Sequence, residues 1–215
     1  MPDLAVILPA AGVSIRFGKD KLSESLDGVS VLDRSIQAFA KREDVKLVIV
    51  AGRETVSGER VISVSGGANR AQSVLYGLRA IPDNIEWVAI HDAARPLVSQ
   101  ELIDRTFAAA LHYGAAAPAM PVNLTVKEVA GELPAQVQRT VPRQNLYALQ
   151  TPQIMRRTDL IQAFKKCPLP LNQITDDLQL IELIGLPAWL VRGEDRNLKI
   201  TTTIDLKFAE IFLKI

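Results

Sequence analysis

Short apolar runs alternate along this chain with stretches whose apolar positions recur at the helical period. Leu4–Leu8 is the first run and predicts a strand. Val31, Leu32, Ser35, Ile36, Phe39 and Ala40 then fall on one face of a predicted helix. Leu47–Ala51 and Val61–Val64 predict two further strands. Asn69 is placed to cap a helix whose apolar stripe is Val74, Leu75, Leu78 and Ile81. Trp87–Ile90 predicts a fourth strand, ending at His91-Asp92, and a helix over Glu101–His112 precedes an alanine-rich fifth strand, Ala115–Val122. This rhythm implies an α/β fold, a mostly parallel sheet with helices on both faces and right-handed crossovers. Ligands in such folds gather at the carboxyl ends of the strands. That rule puts the Pro9–Lys21 loop, Gly66-Gly67 and Asp92 along one edge.

The rhythm breaks over residues 123–141. Thr125–Val129 and Gln136–Val141 alternate polar and apolar positions, with Gly131 and Pro134 between them. This pattern predicts a hairpin arm. A lone two-stranded hairpin is marginal in water, so the arm is expected to pack on a second subunit, the alternative being its own domain. The tail predicts helices over Thr158–Lys165, Asp176–Ile184 and Leu206–Leu213, and short strands at Ala188–Val191 and Leu198–Ile200. With no linker or repeat in view, residues 1–215 read as one domain.

Composition narrows the function classes. The 215 residues carry 25 basic and 24 acidic side chains, a balance that argues against a broad nucleic-acid or membrane surface, so any anion site is local. Cys167 is the only cysteine and His91 and His112 the only histidines, which excludes an intramolecular disulfide and a Cys- or His-rich metal centre. His91 reads as structural and His112 as a solvated surface residue. No apolar run approaches the roughly 18 residues of a membrane span. The expected compartment is the cytoplasm, or the plastid stroma for a processed plant or algal protein.

Candidate chemistry starts in Pro9–Lys21. Tiny residues, Ala10, Ala11 and Gly12, follow the first strand, and Arg16, Lys19 and Lys21 lie close behind. Small residues let backbone N–H groups approach a polyphosphate while the cations neutralise it. Neither the Walker pattern nor Gly-x-Gly-x-x-Gly can be written here, which argues against a nicotinamide dehydrogenase. Asp92 can hold Mg²⁺ through oxygen, directly or through water, or merely cap the next turn; the cations of the first loop favour the metal. Gly66-Gly67 permits a base or ribose to lie close, and Ser73 offers a hydroxyl on the same side. Arg95, Arg143 and Lys199 are further cations beside strands or turns, suited to a second phosphate on an acceptor. Thr125, Thr151 and Thr175 are hydroxyls that could assist. No Ser-His-Asp or Cys-His pairing is visible. Positioned cations and one carboxylate suffice for phosphoryl-type transfer, where positioning and electrostatics do most of the catalysis.

Assembled in order, PAAG at Pro9–Gly12, GG-x-x-R at Gly66–Arg70, HDAARP at His91–Pro96, TPQ at Thr151–Gln153, ITD at Ile174–Asp176 and N-x-K-x-T at Asn197–Thr201 resemble the 2-C-methyl-D-erythritol 4-phosphate cytidylyltransferases of the non-mevalonate isoprenoid pathway. The resemblance runs from Leu4 to about Phe212. It implies a Rossmann-like nucleotidyltransferase fold and a homodimer whose arms interlock. It also implies CTP and a polyol phosphate as substrates and Mg²⁺, or another divalent cation, as cofactor. Arg16 and Lys21 match the family's cations on the CTP phosphates, and Arg143 and Lys199 those that position the acceptor. Arg95 and Thr125 match further acceptor contacts offered across the dimer. Asp92 matches the carboxylate near Mg²⁺, and Ala10, Ala11, Gly67 and Ser73 match the cytidine-binding positions.

The chain departs from the family's loop, which reads G-x-G-x-R-M-G and then P-K-Q. Ser14 stands for the second glycine, Phe17 for methionine, and Asp20-Lys21-Leu22 for Pro-Lys-Gln. Asp20 sets a negative charge beside Lys21, which predicts weaker CTP binding or a stiffer loop. From the residues alone, another polyol phosphate such as ribitol 5-phosphate fits as well, base choice is weakly coded, and a nucleotide-binding homologue without turnover stays open.

Overall fold

The structure is a computed structural model that describes residues 1–12, 17–53, 56 and 58–214. Its elements are β1 (Leu4–Pro9), β2 (Ser25–Leu26), β3 (Val29–Ser30), α1 (Val31–Ala40), β4 (Val45–Ala51), β5 (Val61–Val64), α2 (Arg70–Arg79), β6 (Trp87–Ile90), α3 (Gln100–Tyr113), β7 (Ala115–Pro121), β8 (Val126–Val129), β9 (Val137–Val141), β10 (Tyr147–Leu149), β11 (Gln153–Arg156), α4 (Arg157–Lys166), α5 (Asp177–Leu183), β12 (Trp189–Arg192) and α6 (Thr203–Phe212).

Eight strands form one sheet in the order β10-β7-β11-β6-β1-β4-β5, with β12 also paired to β7. The β5, β4, β1 and β6 neighbours are parallel, as is β12 to β7. The apolar runs are continuous because both sheet faces are covered. In β1, Leu4, Val6 and Leu8 join one core, shared with α1 and α3, while Ala5 and Ile7 join the other, under α2, α4 and α5. All five are fully buried, and a leucine so placed contributes roughly 1.5–3 kcal/mol. The helices start where their caps predict: the Asn69 side chain accepts the Gln72 N–H, and Ser99 accepts that of Leu102.

The structure differs from the pattern reading in several places: the pattern does not predict the short strands β2, β3 and β10, and three further segments depart from it. β11 is an antiparallel strand inserted between β6 and β7; its four residues are too short to show a period. Leu198–Ile200 lies outside the sheet. Ile200 N–H donates instead to the Ala94 carbonyl, and the buried Asn197 amide holds the Thr151 carbonyl. α6 starts at Thr203, not Leu206, because Thr202 and Asp205 form a capping box ahead of the apolar stripe. The arm is present as β8 and β9, an antiparallel pair separate from the main sheet.

Candidate active site

At the carboxyl ends of β1, β5 and β6 lies a cleft of about 230 Å³. Ala10, Ala11 and Gly12 form one wall, Gly67 and the start of α2 another, and Asp92 the floor; Lys21 and Lys199 border it. The turn at Ala11 depends on two glycines of the chain itself. A Cβ on Gly52 would come within 2.5 Å of the Ala11 Cα, and one on Gly66 would collide with the Ala11 Cβ. A Cβ on Gly67 would meet Gln72. The glycine pair is therefore demanded first by close approach within the fold, whereas the sequence suggests a ligand. Ser73 is buried, its Oγ accepting the Gly67 N–H at 3.0 Å and donating to the Asn69 carbonyl at 3.1 Å.

Asp92 is the electrostatic centre. Its Oδ2 lies 3.0 Å from Lys199 Nζ and 3.2 Å from Arg95 Nε, and its Oδ1 lies 3.4 Å from Arg70 Nε. Burial alone would raise its pKa, but the fields of Arg70, Lys199 and Arg95 together outweigh burial and hold the carboxyl well below the usual range. Arg70 reaches past Asp92 to Asp177, at 2.8 Å. Asp177 is fully buried and burial pushes its carboxyl up, while the two aspartates keep Arg70 charged against its own desolvation.

A second layer fixes Asp92 from behind. The Thr151 hydroxyl oxygen accepts the Asp92 N–H at 3.0 Å and lies 3.0 Å from His91 Nδ1; His91 Nε2 lies 3.0 Å from the Arg95 carbonyl. A carbonyl only accepts, so Nε2 carries the hydrogen. Burial lowers the His91 pKa to about 4, so the ring is neutral and Nδ1 accepts the Thr151 O–H. Gln153, two residues on, accepts the N–H groups of Asp177 and Leu178 and so caps α5.

The predicted site residues divide accordingly. Ala10, Ala11, Gly12, Lys21, Gly67, Ser73, Asp92 and Lys199 come together at the cleft. Arg16 and Ser14 lie outside the described residues. Thr151 is buried behind Asp92, where it holds the Asp92 backbone and does not face the cleft. Arg95 is nearly buried, its guanidinium engaged by Asp92 and, at 2.7 Å, by the Asn197 carbonyl. Thr175 is exposed ahead of α5 and hydrogen-bonds Gln179 and Asp176. Thr125 and Arg143 sit exposed at the foot of the arm, where Arg143 donates to the Asn123 carbonyl. Pattern reading gives no site role to Arg70, Asp177 or Gln153; GG-x-x-R, ITD and TPQ border or contain them, and their pairings join segments far apart in sequence.

A family model described as 2-C-methyl-D-erythritol 4-phosphate cytidylyltransferase matches residues 4–215. The chain belongs to that family. A cytidylyltransferase of that name from Frankia casuarinae is 37% identical, over 99% of this chain and 82% of its own length. A bifunctional IspD/IspF enzyme from Desulfotalea psychrophila is 38% identical over all of this chain, which spans 58% of that relative. The crystal structure of the Thermus thermophilus cytidylyltransferase superposes with a TM-score of 0.82 at 35% identity, covering 100% of both chains. That from Francisella tularensis gives 0.86 at 30%, covering 97% of this chain and 99% of its own. The mixed α/β fold with its mostly parallel sheet is thus that of the cytidylyltransferases.

Whether this cytidylyltransferase site suits Mg²⁺ turns on Asp92. Among the described residues no group of three or more His, Cys, Asp or Glu side chains could hold a metal. One anionic carboxylate at the cleft floor fits an ion that keeps waters and takes its other ligands from phosphates. The three cations around Asp92 disfavour a divalent ion that arrives without such an anion.

Proposed function

We propose that the chain transfers the cytidylyl group of CTP to 2-C-methyl-D-erythritol 4-phosphate in isoprenoid precursor synthesis. An oxygen of the acceptor phosphate forms a bond to the α-phosphorus of CTP, the bond to the β-phosphate oxygen breaks, and pyrophosphate leaves. The observation that carries this reading is the cleft itself, with Lys21 and Lys199 at its border and Asp92 fixed among cations. Lys21, with Arg16 by resemblance, meets the charge that builds on the phosphate oxygens, and preorganised groups of this kind are worth on the order of 10²–10³ in rate. Ala10, Ala11, Gly67 and Ser73 shape the wall for the nucleoside. Lys199 is presented for the acceptor phosphate. Asp92 would hold Mg²⁺, which when bound neutralises phosphate charge.

The arm supports a homodimer. Leu124 and Leu133 are 80% and 81% exposed, apolar side chains that a partner's surface would cover. Arg143 and Thr125 lie at the foot of the arm and not on their own cleft's walls, so a partner subunit is the natural recipient of both. The cytoplasm, or a plastid stroma, is the compartment for such small phosphorylated substrates; none of the described helices is long and apolar enough to cross a membrane.

Pyrophosphate release tests the reading. The purified protein with Mg²⁺, CTP and methylerythritol phosphate should release it, and omission of the acceptor should stop it. Faster release with ribitol 5-phosphate or UTP would move the substrate assignment. CTP binding by calorimetry with no release under any condition would leave a binding protein without turnover.

A further inference from the structure

Asp20 replaces the proline that precedes the family's loop lysine, and from sequence it looks like a liability beside Lys21. The geometry gives it a different part. Its carboxylate takes a two-pronged ion pair from Arg53, Nη1 to Oδ2 at 2.7 Å and Nη2 to Oδ1 at 2.5 Å. Arg53 follows Gly52, the residue against which Ala11 packs. The same carboxylate accepts the Leu22 N–H at 3.2 Å and the Ser23 hydroxyl at 2.5 Å. The Arg53 hydrogen bond is the foremost cause that lowers its pKa to about 2, so it is anionic at neutral pH. Leu22 is buried, and its carbonyl accepts the Leu32 N–H at 3.0 Å. Lys21 therefore sits between a neighbour tied to the loop after β4 and a neighbour sunk in the core. The two glycine-dependent turns and the lysine loop form one frame, and the Asp20–Arg53 pair closes it.

We propose that Asp20 and Arg53 are positioning residues for Lys21, fixing its backbone at the triphosphate end of the cleft through a paired carboxylate and guanidinium. Neither reacts; Arg53 neutralises the charge that Asp20 would otherwise set against CTP. The inference rests on the cytidylyl-transfer reading above. A forked Arg–carboxylate pair fixes direction as well as distance, and misplacing a catalytic group by about an ångström costs up to about 10² in rate.

The test is a double-mutant cycle on kcat/KM for CTP with the full chain, using Arg53→Gln, Asp20→Asn and the double variant. Asp20→Asn keeps an acceptor oxygen for Leu22 N–H. Each single change should lower kcat/KM on the order of tenfold, and the double variant should fall no further than the worse single one. Arg53→Lys should recover only part, since an ammonium cannot fork. The difference between wild type and Arg53→Gln should shrink in roughly 0.5 M KCl, because a half-exposed pair is screened. Thermal midpoints separate positioning from loss of fold. Wild-type catalysis with Arg53→Gln within twofold of it, or strictly additive single effects, would overturn the inference and leave the transfer reading standing. A wild-type protein that releases no pyrophosphate would overturn both.

Discussion

Lys199, in the loop that leads to α6, holds its ammonium 3.0 Å from Oδ2 of Asp92, at the end of β6. This bond brings a chain-terminal segment to the middle of the sheet. It also parks the cation proposed for the acceptor phosphate beside the carboxylate proposed for the metal. Asp92 is shared by Lys199, Arg95 and Arg70, so its removal is felt on both sides of the cleft.

Asp92→Asn should abolish transfer and weaken the fold. It leaves Arg70 and Arg95 poorly compensated in a buried setting, which typically costs about 3–5 kcal/mol. Differential scanning calorimetry should show a thermal midpoint lower by about 10 °C for a chain of this size. A variant that melts with wild type would refute the central place given to Asp92.

Acid should destabilise the protein through His91. Its folded pKa of about 4 lies below the unfolded 6.5, so between those values the unfolded chain binds the extra proton. The neutral ring's stabilisation is fully present above pH 6.5 and is lost as pH falls toward 4, with an upper limit of about 3 kcal/mol. Urea midpoints at intervals between about pH 4.5 and 7 should drop on acidification for wild type. They should drop less for His91→Asn.

Gly66→Ala should impair both folding and nucleotide binding. The added Cβ pushes on Ala11, and such overpacking costs about 1–3 kcal/mol. Calorimetry should find CTP affinity reduced by roughly two- to tenfold if half of that strain falls on the bound state. Equal affinity would mean that the Ala11 turn does not contact the nucleotide.

Mg²⁺ should bind with the nucleotide and not before it. Titration of MgCl₂ into the protein alone should give no measurable heat, because Arg70, Arg95 and Lys199 already surround Asp92. With CTP present, saturable binding is expected. Tight Mg²⁺ binding to the protein alone would show that the cations move aside without phosphate.

Much of this architecture is legible in the chain. β1, β4 and β6 announce themselves because a strand covered on both faces is apolar throughout, and Asn69 marks the start of α2 because its side chain completes the first turn. The small hairpin of β2 and β3 also has a signal outside the apolar pattern, the Asp27-Gly28 pair with positive φ at both residues. β11 has none, since four residues between a motif and a helix carry no period. The motifs locate Asp92 and Lys199 but cannot pair them. Asp177 and Arg70 are harder still: a buried ion pair leaves no local pattern, only two charges in segments that the fold later joins. Asp20 shows its charge in the sequence, and its partner Arg53 emerges only in three dimensions.

One stretch carries a wider consequence. Residues 151–153 support the Asp92 backbone through Thr151 and hold the first turn of α5 through Gln153, and that turn contains the carboxylate facing Arg70. A transient opening of this single strand start would unlatch floor and wall together. The base of the cleft therefore yields only as a unit, so slow amide exchange at Asp92, Asp177 and Leu178 should rise and fall in step.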